Sequence, residues 1–195
     1  VFHLSSFAQH PLSDEQANQF AYEIEKLHHG TPSGIDNTVV TYAKPVYFVK
    51  GQPIETFKVG APFTLVIADT GISAPTKESV GDVRKLWELD KLKWEKVFDE
   101  IGEIAKSAKE KIENGEWESL GALMDANHSL LQQLTVSSPE LDHLTETARK
   151  SGASGAKLSG GGRGGNLIAL IEKEKSAHVA KALMSAGAKR TIITE

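Results

Sequence analysis

The sequence predicts an α+β protein, because long segments with helical periodicity stand between short apolar segments typical of strands. Two further observations support this fold class. Residues 61–195 give the order strand, helices, strand, strand, helix, strand, as in a split βαβ, ferredoxin-like layer. Residues 1–60 give a capped helix followed by a β-rich run, which indicates a separate unit. We therefore expect two domains, 1–60 and 61–195, with the boundary between Lys58 and Pro62.

The first domain is expected to contain an amphipathic helix and then strands. Ser13 and Gln16 form a capping-box pattern, and apolar residues then recur at helical spacing until Gly30, a typical helix terminator. The segment 37–49 is rich in Val, Thr, Tyr and Phe, which predicts strands, and a turn is expected at 50–53. The chain begins without Met and is apolar from the start, so we expect it to be part of a longer protein.

The second domain is predicted from its strands at both ends and its helices in the middle. Residues 63–68 form an apolar run of strand length, and a helical region follows from 76 to 113 with a break expected near Asp90. Ser138 before Pro139 is typical of an N-cap with proline at the first helical position. The remaining predicted elements are helices over 117–134, 139–150 and 174–186 and strands over 155–158, 166–171 and 191–194.

The composition excludes several classes of function. The formal net charge of −4 and the lack of a block of Lys and Arg argue against nucleic acid as a partner. The chain has no cysteine, which excludes disulfides and thiolate metal sites and fits a reducing compartment. No apolar run approaches the length that spans a membrane. We therefore expect a cytoplasmic protein without a membrane partner.

Two acidic residues flank a tight turn in the first domain. Glu25 lies on the predicted helix, and Asp36 follows a turn in which glycine and proline constrain the backbone and Ser33 adds a hydroxyl. One interpretation is bland: Glu25 is a solvated helix residue and Asp36 a turn former. The other is that two carboxylates brought together by a turn serve Mg²⁺ binding and proton abstraction, as transfer of a phosphoryl group to a small alcohol requires.

A second glycine cluster, Gly160 to Gly165, precedes a predicted strand. It matches Gly-x-Gly-x-x-Gly, but a dinucleotide fingerprint must open a helix, and no Gly-Lys-Ser/Thr follows as in a Walker loop. A flexible hairpin turn and a loop whose backbone closely approaches a phosphate or another loop both remain open. Arg163 either reaches an anion or points to solvent.

Thr76 follows a strand and a turn, and it also has two interpretations. It is a helix N-cap, or it belongs to a ligand site, because a helix N-terminus at the end of a strand commonly binds ligands. His28 and His29 have no partner at metal-ligand spacing. The histidines on predicted helices are expected to be surface or hydrogen-bonded residues, namely His128, His143 and His178.

Both glycine-containing turns resemble those of a known family. The string His29-Gly30-Thr31-Pro32-Ser33-Gly34-Ile35-Asp36-Asn37 resembles the central signature of the mevalonate kinase family. That family belongs to the galactokinase, homoserine kinase, mevalonate kinase and phosphomevalonate kinase (GHMP) superfamily. The segment from Lys157 to Gly165 is similar to the superfamily's third motif, and 69–84 is similar to the mevalonate kinase pattern. The likeness extends over essentially the whole chain from Phe20.

The resemblance implies a GHMP kinase fold, with a remnant of the N-terminal lobe followed by a ferredoxin-like C-terminal domain. It also implies transfer of a phosphoryl group from ATP to the primary hydroxyl of mevalonate, which gives 5-phosphomevalonate for isoprenoid biosynthesis. Asp36 matches the catalytic base, and Glu25 matches the carboxylate that binds Mg²⁺. The positions near the substrate and phosphates are matched by His29, Ser33 and Thr76. The loop that supports the phosphate loop is matched by Gly160, Gly161, Gly162, Arg163, Gly164 and Gly165.

The sequence also departs from the family pattern. The N-terminal lysine motif and the Gly-Leu-Gly-Ser-Ser-Ala phosphate loop do not occur in it, so we expect both upstream and expect the chain alone to be inactive. Arg163 stands where many members carry a small residue. Two alternatives stay open: another GHMP kinase, acting on phosphomevalonate, mevalonate 3-phosphate or a sugar, and a non-catalytic fragment. Many members of the superfamily are homodimers, so a homodimer is a further expectation.

Overall fold

The computed structural model describes residues 12–29 and 33–194, with only the backbone for His28 and His29. The chain divides into two compact units, Val1–Lys58 and Val59–Glu195.

Among its described residues, the first unit contains two helices and a small hairpin. Helix α1 spans Asp14–His29 and helix α2 spans Ile35–Tyr42. Strands β1 (Val46–Tyr47) and β2 (Glu55–Thr56) pair antiparallel. The predicted turn joins them, because the Gln52 N–H donates to the Val49 carbonyl at 3.0 Å.

The capping box at the start of α1 is confirmed. The Ser13 N–H donates to Gln16 Oε1 at 3.1 Å, and the Gln16 N–H donates to Ser13 Oγ at 3.3 Å. Each side chain therefore satisfies a backbone donor that the helix leaves without an internal partner. The predicted helix terminator, Gly30, lies outside the described residues.

The prediction of strands over 37–49 is wrong for its first half. Residues 35–42 form α2, although β-branched residues predominate among them. The Thr38 hydroxyl donates to the Gly34 carbonyl at 2.6 Å, and Asn37 and Thr38 are buried. Burial and side-chain hydrogen bonds thus outweigh the weak β preference of the individual residues. Asp36 consequently lies in the first turn of a helix and not at the start of a strand.

The second unit contains a four-stranded antiparallel sheet. Its strands are β3 (Thr64–Asp69), β4 (Gly155–Ser159), β5 (Asn166–Ile171) and β6 (Arg190–Thr194). Their order across the sheet is β4-β5-β3-β6. Strands β3 and β4 follow each other in the chain, but β5 lies between them in the sheet. In the same way β3 lies between β5 and β6, so each of these two connections crosses one intervening strand. The predicted α+β class and ferredoxin-like order are confirmed.

Five helices connect these strands. Four of them lie between β3 and β4 in the chain, and the fifth lies between β5 and β6. They are α3 (Thr76–Leu89), α4 (Lys91–Asn114), α5 (Leu120–Gln133), α6 (Pro139–Lys150) and α7 (Ser176–Ser185). Short 3₁₀ turns at Trp117–Ser119 and Lys173–Lys175 precede α5 and α7. Within the described residues, no helix has both the length and the apolar character needed to cross a membrane.

Two of the predicted helix boundaries are confirmed by side-chain caps. Asp90 separates α3 from α4, and its carboxylate accepts a hydrogen bond from the Lys93 N–H at 3.1 Å. Ser138 precedes α6, and its hydroxyl accepts from the Leu141 N–H at 3.3 Å. Both are ordinary N-caps, which explains why the sequence alone located them.

The apolar residues of the second unit form two clusters. The larger one packs one face of the sheet against α6 and α7, and it includes Val66, Leu141, Leu158, Leu167, Val179 and Leu183. The smaller one lies among α3, α4 and α5, and its buried members are Trp94, Val97, Leu130 and Leu134. The sheet and the helix group are thus each held by their own core, and the segments between them position the loops described next.

Helix α5 covers the outer edge of β4. The Ala156 N–H donates to Asp125 Oδ1 at 2.9 Å, and the Leu158 N–H donates to His128 Nδ1 at 3.3 Å. These two donors face away from β5 and would otherwise lack partners in the sheet. Side chains of a helix therefore take the place of a neighbouring strand.

Candidate active site

In the first unit, a polar contact fixes α2 against α1. The Asn37 side-chain amide donates to Asn18 Oδ1 at 2.6 Å, and the Asn18 amide donates to the Thr38 hydroxyl at 3.4 Å. Asn37 and Thr38 are buried and Asn18 is half-buried, so these bonds are partly shielded from water. The contact sets the position of the start of α2 relative to α1.

The two acidic residues singled out in the sequence lie on these two helices. Glu25 follows Asn18 by two helical turns, so it lies on the same side of α1, and its side chain is partly buried. Asp36 directly precedes Asn37 and is exposed. In the described part of the chain, neither carboxylate has a hydrogen-bond or ion-pair partner. Both are therefore available to a ligand.

Ser33 begins the short connection into α2. Its hydroxyl accepts a hydrogen bond from the Ile35 N–H at 3.2 Å, and Gly34 follows with a φ of 89°. This left-handed conformation favours glycine and turns the chain directly into the helix that carries Asp36. The side chain of His29, also expected at this site, lies outside the described residues.

The carboxylates fit a magnesium ion by the chemistry of their donors. Mg²⁺ takes oxygen ligands and is usually held by one or two carboxylates together with substrate phosphates and water. Glu25 supplies such a carboxylate without a competing cation among the described residues. Groups of three or more His, Asp or Glu side chains that could hold a metal ion do not occur within the described residues.

In the second unit, the glycine loop joins β4 to β5 and is held by backbone hydrogen bonds. The Arg163 N–H donates to the Val136 carbonyl at 2.8 Å, and the Gly165 N–H donates to the Ile72 carbonyl at 2.9 Å. The Gly165 carbonyl accepts from both the N–H and the hydroxyl of Thr70, each at 2.9 Å. The loop is therefore fixed by two separate segments of the domain.

The glycines of this loop allow a close backbone approach. A Cβ on Gly162 would lie 1.8 Å from the Val136 carbonyl oxygen, and one on Gly164 would lie 2.4 Å from that of Ile72. Of the two interpretations left open, a flexible hairpin does not describe this loop. Its backbone approaches other segments of the protein, and an approach to phosphate stays a prediction.

Thr76 lies beside this loop. A Cβ on Gly161 would come within 2.7 Å of the Thr76 hydroxyl oxygen, so these two predicted site residues are brought together. Thr76 is the first residue of α3, and Pro75 occupies the N-cap position without a side-chain cap. The N-cap interpretation of Thr76 is wrong, and no capping bond occupies its exposed hydroxyl.

The Arg163 side chain reaches an anion, which is the first of the two sequence-based alternatives, and that anion is the Asp82 carboxylate of the same unit. Its Nη1 donates to Asp82 Oδ2 at 2.7 Å, and its Nε donates to the Thr135 carbonyl at 3.2 Å. Asp82 also accepts a hydrogen bond from Lys85 at 2.8 Å. The bonds from Lys85 and then Arg163 lower the pKa of the Asp82 carboxyl below its ordinary value, so Asp82 is firmly anionic.

The sequence did not reveal the polar network behind the loop. His128 is buried, its Nε2 lies 3.1 Å from Asp142 Oδ1, and its Nδ1 accepts from Leu158. Burial is the main cause that lowers the pKa of His128, which favours the neutral ring. Because Nδ1 accepts the bond from Leu158, the proton of the neutral ring is on Nε2. Burial also lowers the pKa of Lys157, which donates to the Leu158 carbonyl at 2.9 Å. The spacing of Asp125 and His128 on one helix face was the available signal.

Comparison with known proteins relates part of the second unit to a family of kinases. Residues 108–189 match the family model described as GHMP kinases C terminal. The fold agrees with this family, as the structural similarities below show.

The similarity extends beyond that domain to mevalonate kinases in particular. The chain is 35% identical over 181 residues to the mevalonate kinase of Thermococcus sibiricus, which covers 90% of this chain and 54% of that protein. The crystal structure of L. major mevalonate kinase in complex with R-mevalonate has a TM-score of 0.87 and 35% identity, and it covers 98% of this chain and 61% of that one. The crystal structure of the Methanococcus jannaschii mevalonate kinase has a TM-score of 0.83 and 28% identity, and the match covers 98% of this chain and 59% of that one. The chain thus spans about half the length of the curated relatives it matches.

Proposed function

We propose that this chain is the C-terminal part of a mevalonate kinase, which transfers the γ-phosphoryl group of ATP to the primary hydroxyl of mevalonate. The observation that carries the proposal is the extent of the similarity. Mevalonate kinases match nearly the whole chain, including the Glu25 and Asp36 segments that lie outside the matched GHMP domain. The longer protein that contains this chain is called the full-length protein below.

In this proposal Asp36 is the catalytic base. Its carboxylate accepts the proton of the mevalonate hydroxyl, and the hydroxyl oxygen forms a bond to the γ-phosphorus of ATP. The bond from that phosphorus to the bridging oxygen breaks, and ADP leaves with the electron pair. The exposure of Asp36 and its lack of a partner among the described residues support this role, because a base must reach the proton that it removes.

Glu25 would hold magnesium, which supplies neutralisation of the phosphate charge when it is bound. The fixed contact between α1 and α2 keeps Glu25 and Asp36 on one pair of packed helices. His29, Ser33 and Thr76 would line the sites of mevalonate and the phosphates, as the resemblance indicates. The loop Gly160–Gly165 would support the phosphate loop with a rigid backbone.

The proposal also assigns a role to each part of the chain. The residues up to about 60 would belong to the lobe that binds nucleotide and substrate, and residues 61–195 would form the GHMP C-terminal domain. The remaining contacts to ATP would come from other parts of the full-length protein, so the isolated chain would be inactive. The resemblance further supports a cytoplasmic, homodimeric enzyme with no nucleic-acid or membrane partner.

The test is release of ADP by the full-length protein with mevalonate, phosphomevalonate, mevalonate 3-phosphate and a panel of sugars, with this chain assayed in parallel. Turnover restricted to mevalonate and to the full-length protein is the expected result. Turnover of a different acceptor would assign another GHMP kinase activity. Absence of turnover with every acceptor would make the chain part of a non-catalytic protein.

A further inference from the structure

We propose that Arg163 and Asp82 are positioning residues that hold the glycine loop against α3 and thereby keep Thr76 in place for the acceptor substrate. The proposal rests on the proposed function, since the substrate that Thr76 meets is the one assigned above. It concerns the feature in which this chain departs from the family pattern. Arg163, Asp82 and Thr76 all lie in the second unit.

The loop and α3 touch at two points. At one, Gly161 packs against Thr76 so closely that a Cβ would not fit. At the other, the Arg163 guanidinium binds the carboxylate of Asp82, which lies almost two turns further along α3. A single contact would allow the helix to rotate about it, whereas two contacts along the helix axis fix the orientation of its N-terminus.

The backbone at Arg163 indicates that the side chain has a role. Its φ is 58°, a left-handed conformation that costs a residue with a Cβ and that glycine adopts freely. The surrounding loop is otherwise made of glycine. The arginine is held in this conformation by its backbone bond to Val136 and its side-chain bonds to Thr135 and Asp82. Such a strained residue is an accepted pointer to function.

The solvent exposure of the Arg163–Asp82 ion pair indicates that the pair positions the loop and contributes little to the stability of the fold. The side chains of Arg163 and Asp82 are 30% and 39% exposed. Ion pairs with this much exposure contribute little to the free energy of unfolding, because water and salt screen them. A displaced substrate-positioning group, by contrast, weakens productive binding of the substrate and lowers kcat/KM even when the fold is intact. Loss of the pair should therefore appear in the kinetics before it appears in the melting temperature.

Lys85 provides a matched control, because it bonds to the same carboxylate as Arg163. Asp82 Oδ1 accepts from Lys85 at 2.8 Å, while Asp82 Oδ2 accepts from Arg163 at 2.7 Å. Lys85 lies on α3 as well, so its bond to Asp82 does not connect the helix to the loop. The variant Lys85→Met removes one positive charge and one hydrogen bond from the same carboxylate and leaves the link to the loop intact.

The first experiment measures steady-state kinetics of the full-length protein and its variants Arg163→Ala, Asp82→Asn, their double variant and Lys85→Met. We expect KM for mevalonate to rise about tenfold in each single variant of the pair, with kcat changed by less than about twofold. The double variant should be no worse than the poorer single variant, because both remove the same link. Lys85→Met should match the unmodified protein.

A second experiment does not depend on activity. Hydrogen exchange of the Arg163 and Gly165 amides, which donate to Val136 and Ile72, should accelerate about tenfold in Arg163→Ala and Asp82→Asn but not in Lys85→Met. Equal exchange in all variants, or additive kinetic effects in the double variant, overturns the positioning role. If no acceptor is turned over, the proposed function fails, and the exchange data still decide whether the pair fixes the loop.

Discussion

The two glycine-containing turns of this protein are held in opposite ways. The turn at Ser33 and Gly34 is fixed by neighbours in the chain: Ser33 bonds to Ile35, and Thr38 bonds to the Gly34 carbonyl. The loop at 160–165 is fixed by segments far away in sequence, through bonds to the carbonyls of Ile72 and Val136. The first turn thus places Asp36 through bonds between residues that are close in the chain, whereas the second loop depends on contacts with distant segments of its own unit.

The largest expected effect concerns Asp36, and it tests whether the first turn carries the residue that removes the substrate proton. The variant Asp36→Asn should lower kcat of the full-length protein about 10³-fold, because a neutral amide cannot accept the proton of the hydroxyl. ATP affinity measured by calorimetry should change little. Asp99→Asn, at an exposed carboxylate on α4, is the control and should retain activity. Retained turnover in Asp36→Asn would remove this residue from the mechanism.

The next effect tests whether the distant contacts of the glycine loop are essential to it. Gly162→Ala should lower the free energy of unfolding by about 3 kcal/mol, because the new Cβ would overlap the Val136 carbonyl and the φ is 76°. Gly160→Ala is the matched control: its φ is 96°, but nothing lies within 4 Å of the added Cβ. It should cost only about 1 kcal/mol. Equal costs in urea denaturation would show that contact with Val136 does not matter.

A smaller effect tests the local attachment of the first turn. Thr38→Val should cost about 2 kcal/mol of unfolding free energy, because the buried Gly34 carbonyl loses the hydroxyl that donates to it at 2.6 Å. Thr41→Val makes the same chemical change on the same helix, at a position whose side chain is less buried, and should be nearly neutral. Denaturation curves of both variants give the comparison. A neutral Thr38→Val would mean that the turn does not depend on this bond.

The smallest effect concerns pH and the polar network behind the loop. The folded protein has a His128 pKa below its ordinary value of 6.5, mainly because of burial, whereas the unfolded chain retains that value. Below about pH 6.5 the unfolded chain therefore binds a proton that the folded protein does not. Stability from this residue is complete above that pH and declines as the pH falls, by up to about 1.4 kcal/mol at pH 5.5.

The variant His128→Gln isolates this contribution. Glutamine does not titrate, and its amide retains a donor for Asp142 and an acceptor for the Leu158 N–H. The difference in unfolding free energy between pH 7.5 and 5.5 should thus be smaller in the variant. Identical pH dependence of both proteins would show that His128 is not protonated on unfolding in this range.

Local chemistry explains which parts of the fold were predictable. The caps at Ser13, Asp90 and Ser138 depend on bonds within three residues, and the sequence predicted Ser13 and Ser138 as caps and a helix break near Asp90. Helix α2 was not predicted, because its stability comes from the burial of Asn37 and Thr38 and their bonds to α1. The sequence of residues 35–42 alone does not indicate that they contact α1, which precedes them in the chain.

The same distinction applies to the candidate site. Composition located the two turns and the acidic residues, because glycine, proline and serine mark turns wherever they cluster. The partner of Arg163 was not predictable, since Asp82 lies 81 residues away and resembles any other charged residue of an exposed helix. The roles assigned to Glu25 and Asp36 stay predictions until turnover is measured.

Because α5 covers β4, the two edge strands of the sheet differ in how easily they can pair with a strand from another molecule. A foreign strand can add at β4 only after it displaces Asp125 and His128, so cross-molecular pairing there is blocked. Within the described residues, β6 pairs with β3 alone, and Ile192 and Ile193 on it are nearly half exposed. Self-association through strand addition would therefore begin at β6. Charged substitutions on that strand would reduce aggregation at high protein concentration.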